Sequence, residues 1–272
     1  MKTVLDTILE DVRGAVSSAK LKRTPADVRR MGGDAPPPRD FHGALAGSFG
    51  LIAEIKERSP SVGPMRAENV REAVSAYAES PVVRAVSVLT NERHFGMAVE
   101  RLGAVRNEMP QPVLRKDFII EEYQIREARA FGADAILLMA NVLDAARLSG
   151  FQDLACELGM EVLFEVHTPE EIRALPERAR IVGINSRKFQ SPSGFVGAGG
   201  SSAKDFSLDP GAFALVDELP ATALKVAESG ICPSTLDGVR EKFQAALVGT
   251  SLLRDPRGLR ACLREFEEAV GL

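Results

Sequence analysis

Eight short apolar runs, many of them β-branched, recur between residues 50 and 249, and a helix-like stretch follows each run. This alternation is typical of parallel sheets, because a parallel strand needs a crossover connection, usually a helix. Eight βα units predict a TIM (β/α)8 barrel of the α/β class, with a doubly wound open sheet as the lesser alternative. The predicted strands are Gly50–Lys56, Ala85–Leu89, Pro112–Lys116, Ala135–Met139, Glu161–Glu165, Ile181–Asn185, Leu224–Glu228 and Ala245–Gly249.

The first 48 residues lie outside this repeat and are predicted to form a helical extension, while residues 49–272 form a single catalytic barrel domain. Apolar residues at helical spacing indicate an amphipathic helix at the start of the chain. Glycines and prolines between Gly32 and Pro38 are predicted to interrupt it, and a short helix is predicted from Asp40 to Leu45. The apolar positions of the first helix are Val4, Leu5, Ile8, Leu9 and Val12.

The composition of the chain argues against several classes of partner and of structural site. A net charge of −4, from 38 acidic and 34 basic residues, argues against a nucleic-acid or anionic-membrane partner held by bulk electrostatics. Three cysteines without a CxxC pair suggest neither a disulfide framework nor a zinc knuckle, so a reducing cytoplasm is the predicted location. Early acidic residues, Asp6, Glu10 and Asp11, disfavour a signal or transit peptide, and no window is apolar for the length of a membrane span.

Charged residues stand where several predicted strands end. In a TIM barrel these carboxyl ends carry the active site, and alternate side chains of each strand point inward. The alternation places Glu54 and Lys56 on one face of the first strand, where a structural ion pair is the alternative interpretation. Burying many such groups is costly, so a catalytic or ligand-binding site is favoured over a structural network. The converging residues are Glu54, Lys56, Lys116, Glu165, Asn185, Arg187 and Glu228.

Small residues follow the last two strands. Ser229 and Gly230 come after the seventh strand, and Gly249 and Thr250 come after the eighth. Backbone amides at these positions of a TIM barrel can hold phosphate, although two ordinary tight turns would give the same pattern. Together the two motifs predict a phosphorylated ligand. The segment 190–202, rich in Gly and Ser, is predicted to be a flexible surface insertion rather than a lid.

Histidine offers no metal site by spacing. His42, His94 and His167 are predicted to be solvated or locally bonded rather than catalytic. No metal ligand set is therefore assigned.

Several sequence blocks in the same order resemble one known family, indole-3-glycerol-phosphate synthase of tryptophan biosynthesis, from about Asp40 to the C-terminus. Members of this family decarboxylate and cyclise 1-(2-carboxyphenylamino)-1-deoxyribulose 5-phosphate without a metal or organic cofactor. The blocks are Ile52–Lys56 with Ser59-Pro60-Ser61, Ser87–Thr90, Leu114–Ile120 with Tyr123-Gln124-Ile125, Gly132–Leu138, and Glu228-Ser229-Gly230-Ile231.

The resemblance implies roles for individual residues. Lys116 is implied as the general acid for ring closure, Lys56 as the contact of the substrate carboxylate and a participant in proton transfer, and Glu165 as the base. Glu54 and Asn185 are implied to orient groups around Glu165. Substrate-binding positions are Ser59, Phe118, Arg187 and Glu228, and phosphate-binding positions are Ser229, Gly230, Gly249 and Thr250. The N-terminal extension is implied to pack on the barrel mouth, in a monomer or dimer.

Three positions depart from the usual family pattern. Val62 stands where many members have lysine, Asn91 replaces a common aspartate, and Ser186 replaces the second asparagine of Asn-Asn-Arg-Asp. All three fall in predicted loops, so we expect them to affect rate or substrate preference more than fold.

Two other functions compete with this lyase. The first is a paralogous barrel that binds a phosphorylated ligand without turnover, which the presence of both acid and base residues disfavours. The second is a related barrel isomerase acting on phosphoribosylanthranilate, whose usual aspartate and cysteine are not evident at these strand ends.

Overall fold

The computed structural model describes residues 3–188 and 207–272, so the 190–202 insertion lies outside the described residues. Eight strands form a closed barrel in which every neighbouring pair is parallel, and the first strand pairs with both the second and the eighth. The predicted barrel is confirmed, and closure excludes the open sheet. The barrel strands are Gly50–Ile55, Val83–Leu89, Val113–Lys116, Ala135–Met139, Glu161–Val166, Ile181–Asn185, Leu224–Glu228 and Ala245–Val248.

Helices connect the strands, and a small hairpin of Arg58–Ser59 with Gly63–Pro64 follows the first strand. The described connections also contain 3-10 segments at Pro210–Glu218 and Pro233–Thr235. The α-helices after the first strand are Ala67–Glu79, Glu92–Phe95, Arg101–Glu108, Glu122–Ala130, Ala145–Glu157, Pro169–Arg173, Asp237–Arg240, Thr250–Leu253 and Leu259–Val270.

The start of the chain holds one helix more than predicted. Helices run over Val4–Lys22, Pro25–Asp34 and Phe41–Leu45. The predicted interruption at Gly32 was wrong, because the second helix continues to Asp34. Its start carries signals that outweigh the glycines: the Thr24 side chain accepts a hydrogen bond from the Asp27 amide, Asp27 caps in return, and proline occupies the first turn.

The core separates into two layers that follow strand alternation. Outward residues of the first strand, such as Leu51 and Ile55, pack in the helix-facing cluster. Inward residues such as Ile52, Leu114 and Leu163 fill the barrel interior. The residue two positions after each of these inward residues is therefore directed to the mouth of the barrel, which gives Glu54, Lys116 and Glu165.

The N-terminal helix contacts loops at the carboxyl ends of the strands. Asp11 lies 2.8 Å from the Arg93 guanidinium and 3.0 Å from His94 Nε2, both in the helix after the second strand. Tyr123 donates its hydroxyl to the Arg23 carbonyl at 3.0 Å. These contacts tie residues 3–23 to the barrel, whereas a domain division at residue 48 stays a prediction. In the described ranges, none of the helices has the length and apolar character needed to cross a membrane.

Candidate active site

A pocket of about 780 Å³ opens at the carboxyl ends of the barrel strands. Every predicted site residue except Glu228 lines it, and Glu228 lies buried beside the others. The strand ends thus bring together the side chains that alternation predicted. The lining members are Glu54, Lys56, Ser59, Lys116, Phe118, Glu165, Asn185, Arg187, Ser229, Gly230, Gly249 and Thr250.

Glu54 forms the anionic centre of this pocket. Lys56 Nζ donates to Glu54 Oε1, and Lys116 Nζ lies 3.4 Å from Glu54 Oε2. Burial alone would raise the pKa of Glu54, but the two ammonium groups outweigh it and lower the pKa to about 2. Glu54 is therefore a carboxylate at neutral pH. The ion pair predicted as a structural alternative does form, and a second lysine extends it.

Lys116 faces three carboxyl groups. Burial disfavours its charge, yet Glu54, Glu165 and Glu228 together raise the pKa of Lys116 above its usual value. In Glu228, burial and then the charge of Glu165 raise the pKa well above the usual carboxyl range. Neither oxygen of Glu228 has a hydrogen-bond partner among the described residues. The arrangement holds a charged ammonium beside a carboxyl group that favours its neutral form.

Two glycines make space for these carboxyl groups. A Cβ on Gly249 would lie 3.0 Å from the Glu54 Cδ and closer still to its Oε1. A Cβ on Gly183 would lie 3.0 Å from the Glu228 Cδ and likewise closer to an oxygen. A side chain at Gly249 would therefore displace Glu54, and a side chain at Gly183 would displace Glu228.

Asn185 and Arg187 end the sixth strand, as the alternation predicted. Asn185 is buried, and its Oδ1 accepts the Arg187 amide at 2.9 Å, which fixes the turn out of the strand. Ser186, a departure from the family pattern, points elsewhere: its hydroxyl donates to the Ser229 carbonyl at 3.0 Å. Burial lowers the pKa of the Arg187 guanidinium, although Glu54 acts in the opposite direction. Ser186 thus joins the sixth strand end to the loop after the seventh.

The predicted phosphate positions lie together at one end of the pocket. Ser229 and Gly230 both have left-handed backbones, with φ of 67° and 71°. Ser251 donates to the Ile231 carbonyl at 2.6 Å and so links this loop to the start of the helix Thr250–Leu253. Consecutive left-handed or turn residues of this kind can direct their amides into one concavity.

Aromatic and loop residues line other parts of the pocket. Phe118 stacks on Phe95 with ring centroids 6.4 Å apart, and both line the pocket. Ser59 and Ser61 share a hydroxyl hydrogen bond at 2.8 Å in the loop above the first strand. Val62 also lines the pocket, and its carbonyl accepts a hydrogen bond from Arg254 at 3.0 Å.

The third departure, Asn91, lies in the loop after the second strand. Its side chain accepts the His94 amide at 3.1 Å and so caps the short helix Glu92–Phe95. An asparagine serves as an N-cap as well as an aspartate does, so the substitution keeps the local structure.

Sequence reasoning missed His167 as a neighbour of the site. Its side chain is only 10% exposed, and it is locally bonded as predicted, with Nδ1 3.1 Å from Glu171. Its Nε2 also lies 3.4 Å from Glu165 Oε1, which the local pattern did not predict. Cys232 and Asp117 line the pocket as well. Within residues 3–188 and 207–272, His, Cys, Asp and Glu form no group of three that could hold a metal ion.

Comparison with known proteins places the chain in a family. The family model for indole-3-glycerol phosphate synthase matches residues 5–266. The chain belongs to the indole-3-glycerol phosphate synthase family. The indole-3-glycerol phosphate synthase of Micrococcus luteus is 42% identical over 238 residues, covering 84% of this chain and 83% of that protein. The one of Mycobacterium avium is 37% identical over 268 residues, covering 96% and 93%.

Solved structures with low identity show the same fold. A 3-hexulose-6-phosphate synthase from Salmonella typhimurium superposes with a TM-score of 0.57 at 14% identity and covers 81% of this chain and 98% of its own. The tryptophan synthase A-subunit of Pyrococcus furiosus gives 0.52 at 14% identity and covers 83% and 98%. These likenesses concern the barrel, whereas the indole-3-glycerol phosphate synthase family assignment makes the chain a decarboxylating lyase of tryptophan biosynthesis.

Proposed function

We propose that this pocket converts 1-(2-carboxyphenylamino)-1-deoxyribulose 5-phosphate to indole-3-glycerol phosphate, carbon dioxide and water. The observation that carries the proposal is the convergence of Lys116 with Glu54, Glu165 and Glu228 at the barrel mouth. Ring closure needs an acid, and dehydration needs a base and an acid, so the reaction requires both kinds of group in one cavity.

Lys116 is the proposed general acid. When the anilino ring carbon attacks the C2′ carbonyl, the carbonyl oxygen gains negative charge and takes a proton from the Lys116 ammonium. The three acids around Lys116 keep its pKa high and its side chain charged before substrate arrives. Loss of the carboxylate as carbon dioxide then restores the aromaticity of the ring at the carbon that attacked the carbonyl.

Glu165 is the proposed base of the dehydration. It takes a proton from C1′ while the hydroxyl at C2′ leaves as water with a proton from Lys56 or Lys116, which forms the indole double bond. Glu54 holds both lysines by charge, and Asn185 is buried at the next strand end, where it orients the neighbouring backbone. Glu54 stays ionised throughout, since its pKa of about 2 lies far below neutral pH.

The two ends of the pocket fit the two ends of this substrate. Ser229, Gly230, Gly249 and Thr250 are the proposed phosphate contacts, and they lie at one end. Phe118 is the proposed contact of the aromatic ring. Lys56 is the proposed contact of the substrate carboxylate. The remaining proposed substrate-binding positions are Arg187, Ser59 and Glu228.

The test is to add the purified protein to the carboxyphenylamino-deoxyribulose phosphate and follow indole fluorescence. The chain contains no Trp, so its own emission will not mask the product. A rise in indole signal proportional to enzyme concentration is expected. Substrate binding by calorimetry without any indole signal would instead establish the non-catalytic barrel.

A further inference from the structure

His167 is a histidine with a 10% exposed side chain beside the proposed base. It directly follows the fifth strand, Glu161–Val166, which ends with Glu165 facing the pocket. Its Nε2 lies 3.4 Å from Glu165 Oε1, a charge contact rather than a short hydrogen bond. The geometry thus places an imidazole against the Glu165 carboxylate.

Glu171 holds this imidazole in place. Glu171 Oε2 accepts the His167 backbone amide at 2.7 Å and lies 3.1 Å from its Nδ1. Glu171 itself is fixed in the helix Pro169–Arg173, where Thr168 Oγ1 accepts the Glu171 amide at 3.2 Å. Because one ring nitrogen is held by Glu171, the other is directed toward Glu165.

Among the described residues, charges on three elements face His167. Glu171 lies on the following helix, Glu165 on its own strand and Lys116 on the third strand. Burial lowers the pKa of His167 and Lys116 acts in the same direction, but Glu171 and Glu165 outweigh them and raise it. A cationic imidazole here stabilises the Glu165 carboxylate by charge attraction.

We propose that His167, held by Glu171, is a positioning residue that keeps Glu165 ionised and directed into the pocket. The proposal rests on the proposed function of Glu165 as the base. It predicts that His167 acts through Glu165 and not by touching substrate, because Glu171 holds its Nδ1 and its Nε2 faces Glu165.

The kinetic test compares His167→Gln, His167→Ala and Glu171→Gln with the control His42→Gln, in the short helix Phe41–Leu45. Without the imidazolium, the acid limb of the kcat profile is expected to move about one unit to higher pH. On that limb kcat then falls about tenfold, while KM changes little. The shift of the acid limb should be larger in His167→Ala than in His167→Gln, and His42→Gln should keep the wild-type profile.

An independent readout does not need turnover. In a histidine-labelled sample, the NMR resonance absent from His167→Gln is assigned to His167, and its titration is followed in wild type and in Glu165→Gln. A lower titration midpoint in Glu165→Gln supports the pairing, and an unchanged midpoint overturns it. A wild-type kcat profile in both His167→Gln and Glu171→Gln also overturns it. If wild type makes no product, the proposed function fails, while the titration still decides whether the two side chains are coupled.

Discussion

Arg115 and Lys116 are neighbours on one strand but enter two different kinds of charged environment. Arg115 points outward and is saturated: its guanidinium donates to Thr90 Oγ1 at 3.1 Å, to the Gln124 carbonyl at 2.8 Å and to Asp117 Oδ2 at 3.0 Å. Lys116 points inward, where its charge contact with Glu54 is 3.4 Å long. Alternation along four residues of strand therefore separates a structural network from a candidate site.

Among the described residues, the inward cluster contains buried polar atoms without a hydrogen-bond partner, and the outward network around Arg115 does not. Glu228 is 1% exposed, yet neither of its oxygens accepts a hydrogen bond from the described residues. Unsatisfied buried polar atoms cost free energy, so a fold retains them where they serve another purpose. The difference teaches that burial of charge alone does not mark a site, whereas incomplete pairing of buried acids beside a pocket does.

The largest expected effect of breaking the inward cluster comes from Glu165→Gln. The amide keeps the size of the side chain but cannot accept a proton, so kcat is expected to fall about 10²-fold to 10⁴-fold with little change in KM. Steady-state indole fluorescence measures this loss, and calorimetry measures binding.

The matched change outside the barrel is Glu127→Gln, which removes the carboxylate 3.1 Å from Arg115 Nη1. We expect it to lower the free energy of unfolding and leave kcat near the wild-type value. Equal kcat losses in the two variants would refute the functional difference between the clusters.

A smaller loss is expected from Gly249→Ala. The added methyl group would overlap the Glu54 carboxylate and push it from Lys56 and Lys116. A displacement of about 1 Å in a catalytic constellation can cost on the order of 10²-fold in rate. The control is Gly14→Ala on the exposed face of the first helix, where a Cβ meets nothing within 4 Å. Wild-type kcat/KM in Gly249→Ala would show that the Glu54 position is not needed.

The smallest expected effect is on the pH dependence of stability. The folded state raises the pKa of Glu228 above 4.5, so the folded protein holds its proton more tightly than the unfolded chain does. Stability from the neutral acid is complete below that pH and is lost as pH rises through the folded pKa. Glu228→Gln stays neutral and should therefore lose less stability than the wild type between pH of about 5 and 8.

Denaturant unfolding at the two pH values measures this difference, with the exposed Glu157→Gln as the control. Parallel pH dependence in wild type and Glu228→Gln would mean that burial does not hold the proton on Glu228.

The barrel was predictable because its signal, an apolar run followed by a helix-like stretch, is repeated eight times. The site followed from strand alternation, which directs Glu54, Lys116 and Glu165 to one mouth. Strand ends shifted by one or two residues, as at Val83 and Val166, because pairing with a neighbour decides where a strand stops.

Other features depended on contacts that sequence spacing does not encode. The second N-terminal helix was missed because its capping signal at Thr24 competes with Gly32 and Gly33 further along. The contact of His167 with Glu165 was missed because it depends on how the helix that carries Glu171 packs back. Space for Glu54 beside Gly249 likewise arises only when two strands pair.

The most direct test of the central claim is one paired measurement of unfolding free energy and kcat/KM in Lys116→Met and Arg115→Met. Breaking a buried charge network by removing one partner typically costs about 3–5 kcal/mol, so Arg115→Met should lose stability of that order. Lys116→Met should lose less stability than Arg115→Met, because Lys56 still pairs with Glu54, and should lose ring closure while still binding substrate. Turnover near wild type in Lys116→Met, with its stability lost instead, would contradict the account.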